Sequence, residues 1–248
     1  IFIIIYILVN GIPNLTTDLF SLHYNSKNQS MLPSIFNTVF ITFLTLLIAV
    51  PIGIFSAVYL VEYAKKGSKL VKVIRVTTET LAGIPSIVFG LFGFLAFVIA
   101  LGWGYSMIAG VLTLVMMVLP TIIRTTEEAL LAVPNSYREG SFGLGAGKIR
   151  TIFKIIVPTA IPGILSGVIL AIGRIVGETA ALIYTSGTVA ETATSLTDSA
   201  RTLSVHLYCL LSEGLFTEQA YATAVILLLL VVGINALSNF IAKKLAKK

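Results

Sequence analysis

Long apolar runs alternate with short polar segments along almost the whole chain, and this pattern predicts helices that cross a membrane. Residues 35–61 carry no charged side chain over 27 positions, which is long enough to span a bilayer with some tilt. The other predicted spans, beginning with a first span truncated at the N-terminus, are residues 1–9, 81–101, 107–123, about 158–185 and 220–241. The pattern predicts an all-α integral membrane protein with six transmembrane helices and a single transmembrane domain over 1–248.

Composition supports this class and excludes several others. The chain is 56% hydrophobic and 11% charged with a mean hydropathy of +0.98, whereas soluble domains carry about 25% charged residues. A single cysteine rules out an internal disulfide, and the two histidines have no metal-binding spacing. We expect no metal, no cofactor and no nucleic-acid partner. Without a nucleotide-binding loop or a catalytic-triad order, the chain is not expected to be an enzyme, so another subunit must hydrolyse any ATP.

Lysine and arginine indicate the orientation, because they concentrate in cytoplasmic loops. Only Lys27 and Arg201 fall on the opposite side, and Arg174 lies inside the fifth predicted span. We therefore expect the loops 62–80 and 124–154 and the C-terminus to be cytoplasmic and the loops 10–33 and 186–219 to face outward. Six spans place the N-terminus on the same, cytoplasmic side as the C-terminus. The 14 residues on that side, out of 17 lysines and arginines, are Lys65, Lys66, Lys69, Lys72, Arg75, Arg124, Arg138, Lys148, Arg150, Lys154, Lys243, Lys244, Lys247 and Lys248.

The loop 124–154 carries the most specific polar pattern. Hydrocarbon cannot solvate such a segment, so the loop must lie in water at one membrane face. Ser136 and Glu139 have the spacing of a capping box, which predicts the start of a short helix. Gly143 and Gly145 offer left-handed positions at which that helix can end. By itself, this chemistry favours a well-formed connecting loop between two spans, because capping boxes are common.

The longer spacing favours a docking element. Glu139, Gly145 and Pro158 follow one another as in the EAA loop of ABC importer permeases, which this segment resembles and which docks into the ATPase subunit. Gly140 and Ser141 replace the two usual alanines. Pro158 is expected to break the helical backbone where the chain enters the membrane again. The residues assigned to ATPase coupling are Ser136, Glu139, Gly145 and Pro158.

Two further motifs narrow the resemblance. The segments 81–90 and 173–180 resemble those of the phosphate-specific transport (Pst) permeases, and the overall plan is similar to the PstA type. The resemblance implies the MetI-like fold of type I ABC importers and a permease subunit that imports phosphate by alternating access. It implies a prokaryotic inner or plasma membrane. The implied partners are a PstC-type sister permease, a PstB-type ATP-binding subunit, a PstS-type extracytoplasmic phosphate-binding protein and membrane lipid.

Arg174 and Glu178 are the charged residues well inside a predicted span. An arginine at mid-bilayer costs roughly 2.5–3.5 kcal/mol even on a lenient scale, so it needs a compensating role. In a straight helix the two residues share one face. They either neutralise each other as a structural pair or line the path of an anion, where guanidinium suits phosphate. With the family resemblance we favour the substrate path, to which Thr179 and Ser86 are also assigned.

Small residues predict close helix packing. Gly163, Gly167 and Ala171 recur every fourth residue, and so do Gly173, Gly177 and Ala181, with one such surface expected to face the sister subunit. The glycines and proline near residues 83–93 predict a bent third helix.

Two alternatives to phosphate import remain at this level. One is a permease for another oxyanion or small solute that shares the EAA loop. The other is a membrane scaffold or sensor subunit that recruits a cytoplasmic partner without transporting anything.

Overall fold

The computed structural model describes residues 2–65 and 67–246, and every regular element in this part of the chain is a helix. Ile1, Lys66, Lys247 and Lys248, which the predictions on the first span and on orientation used, lie outside the described residues. The α-helices are α1 (Phe2–Gly11), α2 (Leu32–Val58), α3 (Lys69–Ala82), α4 (Ser86–Gly93), α5 (Met107–Leu131), α6 (Asn135–Gly143), α7 (Lys148–Thr151), α8 (Val157–Val176), α9 (Ala180–Thr185), α10 (Leu203–Glu213) and α11 (Thr217–Ala246). The all-α prediction is confirmed for the described residues.

Wider and tighter turns interrupt these helices. π-Helical turns, which form i→i+5 hydrogen bonds and are often found at functional sites, occupy Tyr59–Tyr63, Phe94–Ala100 and Ile152–Ile156. Short 3-10 turns occupy Ile12–Asn14 and Thr17–Phe20. Each π turn directly adjoins an α-helix, so that α2, α4 and α8 belong to longer helical rods.

The structure yields fewer full spans than the six predicted. Within the described residues, four helices are long and apolar enough to cross a membrane: Leu32–Tyr63, Met107–Leu131, Lys148–Val176 and Thr217–Phe240. A fifth is obtained only by joining α3 to the rod of α4 across a break at residues 83–85, where the sequence predicted a bend. The N-terminal apolar helix falls short of the required length. The count of six is therefore not reached.

The outer surfaces of these helices are strongly apolar. Phe43, Leu47 and Phe55 on α2 are each more than half exposed in the isolated chain. Such a surface is unfavourable in water and is suited to lipid tails or to partner helices.

The helices form two compact units. The first comprises Ile1–Thr45, Pro85–Val115 and Gly173–Ile234. The second comprises Leu46–Ile84, Met116–Ile172 and Asn235–Lys248. The candidate substrate residues lie in the first unit and the candidate coupling residues in the second. The single transmembrane domain over 1–248 stays a prediction.

A small-residue ridge on α8 packs against α5 inside the second unit, as predicted. A Cβ atom added at Gly163 would lie 2.6 Å from the Cβ of Ala129, and one at Gly167 would overlap the Thr125 hydroxyl. Thr125 and Ala129 are one turn apart on α5, so the two glycines receive one face of that helix.

Close packing in the first unit joins α4 to α9 and α5. A Cβ at Gly90 would approach the Cα of Ala181 to 2.8 Å, and one at Gly93 would overlap the Thr113 hydroxyl. In contrast, a Cβ at Gly173 would meet no atom within 4 Å. The predicted ridge of Gly173, Gly177 and Ala181 is thus packed within the described chain only at Ala181.

We predict opposite stability effects for the same substitution at two helical glycines. At Gly233 on α11 a Cβ meets no atom within 4 Å, so Gly233→Ala should gain up to about 1 kcal/mol from higher helix propensity. At Gly167 the added methyl overlaps Thr125, and Gly167→Ala should lose about 1–3 kcal/mol by overpacking. Thermal unfolding of the purified protein in detergent, followed by circular dichroism, measures both. Equal stability of the two variants would contradict the packing of α8 on α5.

Candidate functional site

The chain leaves the helical conformation directly after the intramembrane arginine. Helix α8 ends at Val176, residues 177–179 are not helical, and α9 begins at Ala180. The predicted span to about Thr185 is therefore broken. Glu178 lies outside the helix that carries Arg174, so the prediction that the two share one helical face is wrong.

Glu178 is used inside this break to hold the backbone. Its carboxylate Oε1 accepts the N–H of Ala181 at 3.0 Å, which satisfies one of the free amides at the start of α9. Its own carbonyl accepts the Ser204 hydroxyl of α10 at 2.6 Å. Only 8% of the residue is exposed. The buried carboxylate of Glu178 thus bonds the break to α9, and its backbone carbonyl bonds the break to α10.

Arg174 is half-buried near the end of α8. The ion pairs among the described residues are Arg75–Glu127, Arg124–Glu128 and Arg138–Glu62, and none includes Arg174. It also makes no side-chain hydrogen bond within the described part of the chain. A permanently charged guanidinium in a span therefore keeps its donors for a partner other than the described residues.

Ser86 and Thr179 lie on elements that pack together. Ser86 is the first residue of α4 and precedes Gly90 by one turn, and Gly90 contacts Ala181 of α9. Thr179 directly precedes α9, and its hydroxyl donates weakly to the Gly177 carbonyl at 3.4 Å. The structure brings the start of α4 and the break after α8 into one unit, which the sequence could not show.

The predicted outward loop 186–219 is largely structured. Asn37 of α2 holds it by three bonds: Nδ2 donates to the carbonyls of Glu191 and Arg201 at 3.0 and 3.2 Å, and Oδ1 accepts the N–H of Ala193 at 3.1 Å. The loop then continues into α10, whose first turn is buried on all sides. The role of Asn37 was not predicted, because a lone asparagine within an apolar run does not indicate its bonding partners.

Arg201 and His206 form a buried contact where this loop meets α10. The Arg201 Nε donates to the Thr188 carbonyl at 2.7 Å, and its Nη1 lies 3.1 Å from the His206 Nδ1. Arginine only donates, so Nδ1 accepts and His206 is the neutral Nε2–H tautomer. Burial, reinforced by the charge of Arg201, lowers the pKa of His206 to about 4. His206 lies on α10, outside the four candidate spans.

The second candidate site is the segment between α5 and α8, and its short helix is confirmed as α6. Its boundaries are narrower than the predicted loop 124–154, because α5 extends to Leu131 and a continuous helical rod starts at Lys148. Gly145 has the predicted left-handed conformation, with φ +80°. Its N–H donates to the Phe142 carbonyl at 2.9 Å, and the N–H of Ala146 donates to the Ser141 carbonyl at 3.1 Å. This pair of bonds is a Schellman helix end.

The predicted capping box is wrong. Helix α6 begins at Asn135 after Pro134, and no side chain caps its N-terminus. Ser136 and Glu139 both lie inside the helix and are exposed. The proline moves the helix start upstream, because its fixed φ suits the residue that precedes a helix. Gly143 is the last helical residue and has no left-handed φ.

Ser141, which replaces a usual alanine of the EAA pattern, has a structural role. Its hydroxyl forms a buried 2.8 Å hydrogen bond with the hydroxyl of Thr151 on α7. This bond links the helices on either side of the Gly145 turn. Leu144 is 91% exposed and lines, together with Arg150 and Lys154, a groove of ≈ 580 Å³.

Pro158 does not break the backbone, contrary to the prediction. The helical rod runs from Lys148 to Val176 through this residue. Pro158 has no N–H to donate to the residue four positions earlier. The π-helical turn Ile152–Ile156 ends two residues before it, and this wider turn accommodates the lost bond within one rod.

Arg138 is the functional candidate that the sequence missed, since it was interpreted only as a topological charge. Its Nε and Nη2 donate to Glu62 Oε1 at 3.1 and 2.7 Å. Nη1 donates to the Val133 carbonyl at 2.9 Å, and Nη2 to the Leu130 carbonyl at 3.1 Å. The sequence feature that could have indicated a charge partner is Glu62, the first charged residue after the 27-residue apolar run.

Comparisons with known proteins agree with this geometry. A family model described as "Binding-protein-dependent transport system inner membrane component" matches residues 49–248. The probable ABC transporter permease protein YqgI of Bacillus subtilis is 33% identical over 98% of this chain and 88% of its own length. The phosphate transport system permease protein PstA 1 of Mycobacterium tuberculosis is 45% identical over 140 residues, which are 56% of this chain and 45% of that protein. The predicted resemblance to PstA-type permeases is confirmed.

Solved structures share the fold at low sequence identity. A bacterial alginate ABC transporter in complex with alginate pentasaccharide-bound periplasmic protein matches with a TM-score of 0.72 and 16% identity, over 98% of this chain and 88% of that chain. An inward-facing MetNI methionine ABC transporter matches with a TM-score of 0.64 and 19% identity, over 97% of both chains. These matches confirm the helical fold of ABC importer permeases.

We predict that acid destabilises the first unit through His206. Because the folded-state pKa is lowered from 6.5 to about 4, the unfolded chain takes up the proton first. The contribution of His206 to stability is therefore complete above about pH 6.5 and is lost as the pH falls towards 4, by about 2 kcal/mol at about pH 5. Unfolding midpoints in detergent at about pH 7.5 and 5 measure the loss.

His206→Asn is the control, because its side-chain oxygen can still accept from Arg201 but does not titrate. The variant should lose much of the acid sensitivity. An identical acid shift in the variant and the wild type would show that other groups cause it.

Proposed function

We propose that this chain, which belongs to the family of binding-protein-dependent transport system inner membrane components, is the permease subunit of an ATP-driven phosphate importer. It moves inorganic phosphate into the cytoplasm by alternating access. The family and the fold establish the coarser statement, a multi-pass membrane permease of an ABC importer. The substrate and the residue roles are the proposal.

The proposal that phosphate is the substrate rests on similarity to relatives that are named for phosphate transport. Identity to PstA 1 reaches 45% over 140 residues, and PstA of Xylella fastidiosa is 36% identical over 178 residues. YqgI, which matches over more of the chain, has a name that gives no substrate. The chain spans less than half of PstA 1, so phosphate is inferred from the part that is shared.

Arg174 supplies the chemistry that an anion path needs. It is half-buried and has no ion-pair partner among the described residues. Its planar guanidinium can donate two parallel hydrogen bonds to two phosphate oxygens. A carboxylate that neutralised it within the protein would compete with the anion, and Glu178 instead bonds the backbone of α9.

Glu178 favours a protonated oxyanion over a fully ionised one. Its Oε1 is occupied by Ala181, and its Oε2 makes no hydrogen bond within the described residues. Phosphate near neutral pH carries an O–H that can donate to this oxygen, whereas sulfate offers only negative oxygens. Ser86 and Thr179 add hydroxyls on the packed elements α4 and α9, and we assign all four residues to the substrate path.

The energy and the substrate come from other subunits. The exposed α6 segment, with Ser136, Glu139 and the Gly145 turn, is the docking surface for a PstB-type ATP-binding subunit. Pro158 lies in the rod that leads from this surface into the membrane. A PstC-type sister permease and a PstS-type phosphate-binding protein complete the assembly in a prokaryotic inner or plasma membrane. The lysine and arginine bias supports a cytoplasmic position for the docking surface and for the C-terminus. A cytoplasmic N-terminus rests on the predicted count of six spans and stays a prediction.

We predict that Arg174 is required for phosphate uptake. Proteoliposomes containing the assembled complex should take up labelled phosphate, with weak competition from sulfate and molybdate. Arg174→Gln removes the charge and the bidentate fork and should lower uptake by about 100-fold, the loss of a charge-assisted bond pair. Arg174→Lys keeps the charge without the fork and should be intermediate.

Assembly with the ATP-binding subunit is the control, and it should be unchanged in both variants. Wild-type uptake by Arg174→Gln would exclude it from the substrate path. Uptake of sulfate in place of phosphate would favour a permease for another oxyanion, and a complex that transports neither would favour the scaffold alternative.

We predict that the Gly145 turn and Glu139 couple transport to ATP hydrolysis. Valine cannot adopt φ +80° without strain, so Gly145→Val should displace the docking surface at a cost of about 1–2 kcal/mol. Glu139→Lys reverses the charge of an exposed side chain on that surface. Both variants should insert normally but lose substrate-stimulated ATPase activity in the assembled complex. Gly143→Ala, a helical position with no atom within 4 Å of the added Cβ, should keep it.

A further inference from the structure

We infer that Arg138 and Glu62 form the mechanical joint between the docking helix α6 and the span of α2, an inference that rests on the proposed function. The pair joins residues 76 positions apart in the chain. Glu62 lies in the π-helical turn Tyr59–Tyr63 that ends the Leu32–Tyr63 rod. Arg138 lies in the middle of α6. One side chain therefore connects the surface that meets the ATP-binding subunit to a membrane-spanning helix.

All five N–H groups of the Arg138 guanidinium form hydrogen bonds within the protein. Two of its five N–H groups donate to Glu62. Two more donate to the carbonyls of Leu130 and Val133, where α5 ends, and the last reaches the Asn135 side chain at 3.4 Å. A cation at the C-terminal end of a helix is also favoured by the helix dipole. Arg138 thus fixes α6 to the end of α5 and to Glu62 at once.

Burial makes this pair different from a surface ion pair. The side chains of Arg138 and Glu62 are 16% and 10% exposed, whereas those of Arg124 and Glu128 in the same unit are 53% and 64% exposed. Removing one partner of a shielded pair leaves the other charge without compensation, so the pair resists opening. An exposed pair of this kind contributes little.

A second contact joins the same turn to the other side of the docking segment. The Lys148 ammonium on α7 lies 4.7 Å from the centre of the Tyr63 ring, within the range of a cation–π interaction. The Ser141–Thr151 hydrogen bond links α6 to α7. Adjacent residues 62 and 63 therefore hold the segment from both sides of Gly145.

The arrangement implies that α6 and the Tyr59–Tyr63 turn move as one body. A displacement of α6 by the ATP-binding subunit is then transmitted to α2 directly through the Arg138–Glu62 pair and not through a flexible loop. π-Helical turns are frequent at functional positions. Arg138 and Glu62 are positioning residues in this scheme, since neither needs to contact phosphate.

Spin labels on both parts of the joint test the inference directly. Tyr59→Cys and Gly143→Cys place labels on exposed positions of the turn and of α6 in the second unit, in a Cys209→Ser background. Double electron–electron resonance on the assembled complex in nanodiscs should give one narrow distance distribution, unchanged by nucleotide. Arg138→Gln or Glu62→Gln should broaden it, and Arg138→Lys should give an intermediate width. Arg124→Gln is the matched control and should leave it narrow.

The functional measurement is phosphate transported per ATP hydrolysed in proteoliposomes. Both joint variants should assemble with the ATP-binding subunit and hydrolyse ATP, but transport per ATP should fall about tenfold. A purely structural role would lower assembly and leave this ratio intact. A narrow distance distribution in both variants, or an unchanged ratio, would overturn the joint. A broadened distribution in complexes whose wild type transports no phosphate would support the joint and refute the proposed function.

Discussion

The hydrocarbon of a bilayer cannot hydrogen-bond to the peptide backbone, and this constraint bears most directly on the break after α8. A span that leaves the helical conformation exposes N–H and C=O groups at a cost of several kcal/mol each unless a protein group satisfies them. At the break after α8, Glu178 accepts from the start of α9 while its carbonyl accepts from Ser204. At the end of α5, in the segment predicted to lie in water, Arg138 donates to the carbonyls of Leu130 and Val133.

The buried polar side chains therefore serve mainly the backbone. Asn37 makes three bonds to the segment before α10, and Arg201 donates to the Thr188 carbonyl. A substitution at Asn37 would therefore remove three bonds to that segment at once. Arg174 is different, because it is half-buried with no bonded partner among the described residues. This difference separates a candidate for substrate binding from residues that maintain the fold.

The segment from α6 to α7 is also held by bonds within the protein. Its rigidity arises from a Schellman end at Gly145, a buried hydroxyl pair and the Arg138–Glu62 contact. These bonds lie within the segment or join it to Glu62, while Leu144 and Glu139 remain exposed. The docking role proposed for this segment needs both properties, an accessible face for the partner and a bonded network behind it.

The sequence by itself determined the helical membrane class, the importer-permease resemblance, the presence of the short helix α6 and the left-handed turn at Gly145. The class, the helix and the turn follow from composition or from the conformational preferences of neighbouring residues, which act locally, and the resemblance follows from motifs within short segments. Only the tertiary structure decided the break after Val176, the uninterrupted rod through Pro158, the number of full spans and the partners of Glu178 and Arg138. Hydropathy averages over a window, so it cannot register three residues that leave a helix. Nor can spacing within one segment identify a partner such as Glu62, because the pairing of Arg138 with it is created by packing between helices.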